Sequence, residues 1–375
     1  MSHPKIAIVC GEISGDQYAS LLALHLRKIQ PDTEIIGIGG RKLSQSGVKI
    51  IAKNPLSGSF GIYSVIRNIH QHIKFLNLCA SAIRKENPDL IIFIDNPGFN
   101  LNLAKKLTDF RKIYYIVPKV WAHGYQRIFL IRHLFEAAIV IFPFEKKLFE
   151  KEGVSAFYFG HPVIDLIENS TDNNDFFETT GLNEQHTVIG LFPGSRKEEI
   201  EWILPVLLKA GKFIQKDYKV CFVVSCADEN LLPIIKKIIE KERFHCSVWT
   251  GSPHVIARVS HLALVASGTM NLELALLETP MIVFYKMNRL NYIIARIVVQ
   301  LQSVSPVNII CGKKVVEEFI QDINWLKFNR VFSQIMDKES EKRKTQIEYF
   351  KSLKEQLGCK NVSERVAQFI LERVR

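Results

Sequence analysis

Leu90-Ile-Ile-Phe-Ile94 runs into Asp95-Asn96-Pro97-Gly98-Phe99-Asn100. Five apolar residues, three of them β-branched, stop abruptly at an acid and a Pro-Gly bend. A continuous apolar run of this length marks a strand buried on both faces, as in parallel sheets covered by helices. The same pattern occurs at Ile6–Cys10, Ile35–Ile38, Ile113–Val117, Ala138–Phe142 and Phe157–Phe159, with helical patterns such as Gln17–Lys28 between. The first half of the chain is therefore expected to be an α/β, doubly wound, Rossmann-like domain.

Residues 165–186, with Asn-Ser-Thr-Asp-Asn-Asn-Asp at 169–175, are polar and turn-rich and read as a linker. The rhythm then restarts at Val188–Phe192, Val220–Val224, Ser247–Trp249, Leu262–Val265 and Met281–Tyr285. The expectation is two Rossmann-like domains, 1–168 and 169–340, followed by C-terminal helices over 341–375 that fold back or exchange between subunits. From about Lys313 onward the chain reads as charged and helical, including Lys338–Gln356 and Val362–Arg375. Tandem domains of this kind bind a ligand where the carboxyl ends of their strands meet.

The chain has 375 residues, 47% hydrophobic and 23% charged, which excludes a disordered chain or a fibrous rod. Its 49 basic and 38 acidic residues leave a net charge of +11, which favours anionic partners. Seven scattered cysteines form no CxxC pair and read as reduced thiols of a cytosolic protein. No signal-peptide pattern opens the sequence, and no stretch is a credible membrane span. No metal-ligand spacing stands out, so neither metal nor cofactor is expected, and His123, His161 and His254 read as isolated structural histidines. Nucleic-acid motifs are missing too, so the positive charge is assigned to phosphosugars and anionic lipid.

Four loops carry candidate chemistry. Gly11-Glu12-Ile13-Ser14-Gly15-Asp16 follows the first strand; its glycines permit close backbone approach, and Asp16 is placed to N-cap the first helix. Asp95 ends its strand as a candidate general base, or alternatively as an Asx turn supporting the Pro-Gly bend. Phe192-Pro-Gly194-Ser195-Arg196 opens a helix in which Ser195 and Glu198 fit a capping box, with Arg196 beside an anion-binding helix start. In Ser267-Gly268-Thr269 the logic repeats, and Glu273, one turn along, is placed to hold a ribose hydroxyl pair. Each of these also reads as an ordinary strand-to-helix turn. Together the last two suggest a nucleoside diphosphate. Residues 62–83 form an amphipathic helix that is either packed on the core or, through Ile62, Tyr63, Ile66 and Arg67, docked on a membrane surface.

Taken in order, GEISGD (11–16), IDNPGFN (94–100), VWA (120–122), FPFE (142–145), GHP (160–162), FPGSR (192–196), ASGTMNLE (266–273) and VNIICGKKVVEEFIQ (307–321) resemble the lipid-A-disaccharide synthase family, glycosyltransferase family 19. The resemblance implies a GT-B type fold and an inverting transfer without a metal. A 2,3-diacylglucosamine unit passes from its UDP-activated donor to 2,3-diacylglucosamine 1-phosphate. It implies Asp95 and Arg196 as the essential residues, with Asn100 and Asn308 in motifs that bind substrate. A homodimer with exchanged C-terminal segments is implied, cytoplasmic and peripheral on the inner face of the inner membrane, where anionic lipids are partners.

The sequence departs from the family at Gly98, at Val117–Gly124, at Lys286 and at Ser305-Pro-Val-Asn308. These departures put acyl-chain length and the acceptor in question and leave open a divergent paralogue with another glycolipid acceptor; the competing readings are a sugar-nucleotide epimerase and a non-catalytic UDP-sugar-binding protein.

Overall fold

The structure is a computed structural model that describes residues 4–11, 13–53, 69–122, 124–168, 175–288, 292, 303–358 and 360–374. The chain divides into two compact units. One is built from Met1–Leu166 with Leu357–Arg375, the other from Ile167–Gln356.

The first unit holds a seven-stranded parallel sheet of β1 (Lys5–Cys10), β2 (Glu34–Gly39), β3 (Lys49–Lys53), β4 (Leu90–Ile94), β5 (Lys112–Tyr115), β6 (Ala137–Val140) and β7 (Ala156–Tyr158). Its spatial order is β3-β2-β1-β4-β5-β6-β7. Every residue of β4, and every residue of β1 after Lys5, is buried, as both-sided helical cover requires. Val9, Ile36, Ile91, Phe93, Leu103 and Ile131 belong to its core. The order reverses between β1 and β4, which makes that pair the switch point where ligands of open α/β sheets bind.

The second unit repeats the plan with β8 (Val188–Phe192), β9 (Cys221–Ser225), β10 (Ser247–Trp249), β11 (Ser260–Ala266), β12 (Met281–Tyr285) and β13 (Glu317–Ile320). Here the order is β10-β9-β8-β11-β12-β13, again parallel, with its switch point between β8 and β11. Leu191, Leu204, Val224, Leu264, Phe284 and Phe328 lie in its core.

Two strands escaped the sequence reading. β3 is an edge strand bracketed by Lys49 and Lys53, as edges often are. β13 lies in the region expected to be charged and helical, and that expectation is corrected. Glu317 hides the strand: it is buried, and its carboxylate is shared by Lys314, Lys327 and Lys342.

The expected C-terminal helical segment is divided between the units. Helix Glu341–Gln356 packs on helix Met270–Leu276 in the second unit. Helix Val362–Val374 packs on helix Ile13–Ile29 in the first. The Asp165 carboxylate accepts the backbone N–H of Val362 at 3.2 Å and of Ser363 at 2.6 Å, capping that last helix. Arg373 lies over the rings of Phe157 and Phe369.

Candidate functional site

In the first unit the candidate residues gather at the β1/β4 switch point. Asp95 and Asn96 follow β4 in the left-handed region, with φ of 52° and 40°. Two groups hold the Asp95 carbonyl there: the Asn100 amide donates to it at 2.6 Å and the Tyr114 hydroxyl at 2.7 Å. Asn100 also donates to the Ile94 carbonyl at 3.0 Å. Its side chain is fully buried and positions the Asp95 turn. Asn96, overlooked in the sequence, caps helix Pro97–Lys106 by accepting the Phe99 N–H at 3.4 Å. Asn96 thus stabilises the turn that follows Asp95. Gly98 is exposed, with open space where a side chain would stand.

Gly11 closes β1 against this turn. A Cβ there would lie 2.1 Å from Asn96 Nδ2, so only glycine fits. At Gly15 a Cβ would rest 3.8 Å from the Asp95 Cβ, which places the first helix beside the candidate base. Ser14, half-buried, lies in the first turn of that helix. Glu12 lies outside the described residues.

Asp16 corrects an expectation. The helix begins at Ile13, so Asp16 sits inside its first turn instead of capping it. Its buried carboxylate accepts the backbone N–H of Gly40 at 2.7 Å, Lys42 at 2.8 Å and Leu43 at 3.3 Å. It thus caps the neighbouring helix Arg41–Gln45; burial first, and then its charge, push the Cys10 thiol up in pKa.

Next along the same sheet edge, Ile116 holds φ of 61°, rare for a β-branched residue. Trp121 follows, donating from Nε1 to Glu145 at 2.8 Å. The other Glu145 oxygen accepts the N–H of Ile141 and of Phe142. Burial pushes this carboxyl up to about 7 against those three donors. His161 is buried beside Phe142, its Nδ1 accepting the Val163 N–H at 3.2 Å, and burial holds its pKa down at about 3. FPFE and GHP therefore act as structural ties. His123 lies outside the described residues.

In the second unit the loops after β8 and β11 flank the other switch point. Arg196 is the N-cap of helix Lys197–Asp217, and its own side chain makes no cap hydrogen bond. The capping box expected from Ser195 and Glu198 does not form, because the helix starts one residue later. Glu199 takes the part instead: Oε2 accepts the Ser195 N–H at 3.2 Å, and Oε1 pairs with Arg196 Nη1 at 3.1 Å. Gly194 has φ of 108°, and a Cβ there would lie 2.5 Å from Glu199 Oε2. Among the described residues no side chain caps the first-turn amides, which lie beside a guanidinium, an arrangement suited to phosphate oxygens.

After β11, Ser267 donates its N–H to Phe284 and its hydroxyl to the Val304 carbonyl at 2.6 Å. Gly268 has open space at its Cβ position, and Thr269 is exposed. Asn271 repeats the Asn100 device, donating at 2.7 Å to Ala266, the last residue of β11. Glu273 is buried, with Oε2 2.7 Å from His254 Nε2, so His254 is not an isolated histidine. Asn308 spends its whole amide on the chain: it donates to Val316 and Glu318 and accepts from Val315 and Val316. The amide thus staples a loop.

Ile62, Tyr63, Ile66 and Arg67 lie outside the described residues. The described helix Ile69–Glu86 buries Phe75, Leu76, Cys79, Ala80 and Ile83 in the core and exposes Ile73 at 46% and Leu78 at 57%. Among the described residues no helix is long and apolar enough to cross a membrane.

Two parallel-sheet α/β units, each with its candidate loops at a switch point, define a GT-B type protein. Solved structures share this fold. A Staphylococcus aureus MnaA–UDP structure matches with a TM-score of 0.65 at 14% identity, covering 99% of this chain and 97% of its own. The UDP-GlcNAc 2-epimerase of Neisseria meningitidis bound to UDP-GlcNAc matches with a TM-score of 0.63 at 14% identity, covering 98% and 100%. The sequence matches the family described as lipid-A-disaccharide synthetase over residues 6–370. Lipid-A-disaccharide synthase 1 of Legionella pneumophila is 34% identical over 359 residues, 94% of this chain and 93% of that protein. The lipid-A-disaccharide synthase of Syntrophus aciditrophicus is 31% identical over 388 residues, covering 100% and 99%. The chain belongs to the lipid-A-disaccharide synthetase family, glycosyltransferase enzymes of lipid A biosynthesis.

Proposed function

We propose that this chain condenses UDP-2,3-diacylglucosamine with 2,3-diacylglucosamine 1-phosphate, giving the β-1,6-linked disaccharide 1-phosphate and UDP. One observation carries the assignment of residues. Asp95 follows β4 at one switch point, and Arg196 and Ser267–Thr269 follow β8 and β11 at the other. In this reading the Asp95 carboxylate takes the proton of the acceptor 6-hydroxyl as that oxygen attacks the donor's anomeric carbon. The bond from that carbon to the diphosphate breaks, and UDP leaves with the electron pair. General-base help of this kind is typically worth about 10²–10⁴-fold. Arg196 and the uncapped amides after it meet the charge growing on the diphosphate, and the Ser267–Thr269 turn shares that task. Glu273 accepts from the ribose hydroxyls.

Because the substrates carry acyl chains, the reading includes a peripheral site on the inner face of the inner membrane. Anionic lipids there would meet residues 62–83, and the exposed Ile73 and Leu78 support the placement. It includes a homodimer as well; the contacts of helix Val362–Val374, made in trans, would constitute the exchange.

The test is acceptor-dependent UDP release in detergent by the purified protein. Asp95→Ala and Arg196→Ala should each lower turnover by at least about ten-fold with the fold retained, since each removes a group acting in the transition state. Near-normal turnover in either variant would remove that residue from its role.

A further inference from the structure

Glu273 does not stand alone. Helix Pro253–Val259 opens at Ser252, whose hydroxyl accepts the His254 N–H at 3.3 Å and lies 3.4 Å from His254 Nδ1. The opposite ring nitrogen, Nε2, is 2.7 Å from Glu273 Oε2. His254 and Glu273 are both buried, so neither side chain swings away at small cost.

The proton positions follow from the partners. A carboxylate only accepts, so Nε2 carries a hydrogen whether the ring is neutral or charged. Nδ1 faces a hydroxyl, which can donate to it and so settles the neutral tautomer. The line Ser252–His254–Glu273 therefore runs in one direction, from hydroxyl to ring to carboxylate, and it occupies Oε2. The remaining oxygen is held at a fixed angle, with acceptor capacity for hydroxyls of a bound molecule.

We infer that His254 is a positioning residue that fixes the Glu273 carboxylate to accept the hydroxyl pair of a ribose, and that it thereby sets the preference for ribonucleotides. The inference rests on the reading of the second unit as the nucleotide site. Without the His254 donor, Glu273 would be a buried carboxylate lacking its partner, and it would turn away to find another.

Isothermal titration of the full chain with UDP and with 2′,3′-dideoxy-UDP tests this. The wild type should prefer UDP by about ten-fold or more, the scale of hydrogen bonds to a charged acceptor. Two substitutions of similar size separate the roles. His254→Gln reaches the position of Nε2 with an amide donor and should keep the preference. His254→Asn reaches only the position of Nδ1, so it should bind UDP no better than the dideoxy compound. Dideoxy-UDP should bind all three proteins alike, which reports an intact phosphate site. Retained preference in His254→Asn, or loss of preference in both variants alike, would overturn the inference. A wild type that binds both compounds equally would overturn it while leaving the nucleotide reading in place. A wild type that binds neither would remove both.

Discussion

Gly11→Ala sets one atom against Asn96, the residue next to the candidate base. The added Cβ would lie 2.1 Å from Asn96 Nδ2 and 3.1 Å from its Cγ, far inside contact distance. Asn96 is buried, so its side chain yields only by rotating out of its cap on helix Pro97–Lys106 or by displacing β4 from β1. Loss of an N-cap costs about 1 kcal/mol and overpacking about 1–3 kcal/mol, so the variant should lose about 2–4 kcal/mol of stability. Asp95 adjoins Asn96, and a displacement of about 1 Å at a reacting group can cost about 10²-fold in rate. Asn96→Gly removes the obstacle. Glycine tolerates φ of 40° and serves as an N-cap at a cost of a few tenths of a kcal/mol, so this change alone should be mild. Carried together, Gly11→Ala and Asn96→Gly should regain most of the stability, a coupling of about 2 kcal/mol in a double-mutant cycle. Urea unfolding of the four proteins measures the stabilities, and acceptor-dependent UDP release measures turnover. A Gly11→Ala protein as stable as the wild type, or losses that simply add, would show that Gly11 and Asn96 are not in contact.

Acid should act on the fold through His161. Its folded pKa, about 3, lies below the ordinary 6.5, so the unfolded chain binds more protons between those values, and stability falls as pH drops through 6.5. The loss should reach about 3 kcal/mol near pH 4, and His161→Asn, which keeps an acceptor for Val163, should flatten it in urea unfolding at stepped pH. Asn308→Ala removes four hydrogen bonds from a buried loop and should lower stability by about 2–4 kcal/mol, measured by thermal unfolding, with UDP affinity in titration little changed. Exchanging Ile62 and Ile66 for Glu should weaken co-sedimentation with anionic vesicles while sparing UDP binding; unchanged co-sedimentation would refute the membrane placement.

Most of the architecture was legible because buried parallel strands carry continuous apolar runs. β4 and β8 follow their sequence signals residue for residue. β3 and β13 were not legible, because lysines flank one and a charge-neutralised glutamate opens the other. The candidate loops were found from strand-end glycines, acids and hydroxyls. The roles within them were less legible, since Asp16 spends its carboxylate on backbone far along the chain and Asn308 spends its amide on the loop and strand that follow it, as pattern alone does not reveal. Asn96, Asn271 and His254 were missed for a related reason. An asparagine after a strand reads as a turn residue, and a lone histidine reads as inert, until the partners 19 residues on are brought alongside. Asn96 carried one usable signal: it directly precedes Pro97, the place where a helix cap is expected.

The interleaving of the two units bears on how the protein is made. Residues 167–356 leave the ribosome before residues 357–375, yet those last residues complete the unit begun at the first strand. A domain emerging early in synthesis usually folds at once. Here the sheet that emerges first must wait, with the helix Ile13–Ile29 lacking its packing partner, until the whole second unit has been synthesised. Premature termination anywhere in the last helix would therefore damage the front of the protein and leave its middle intact.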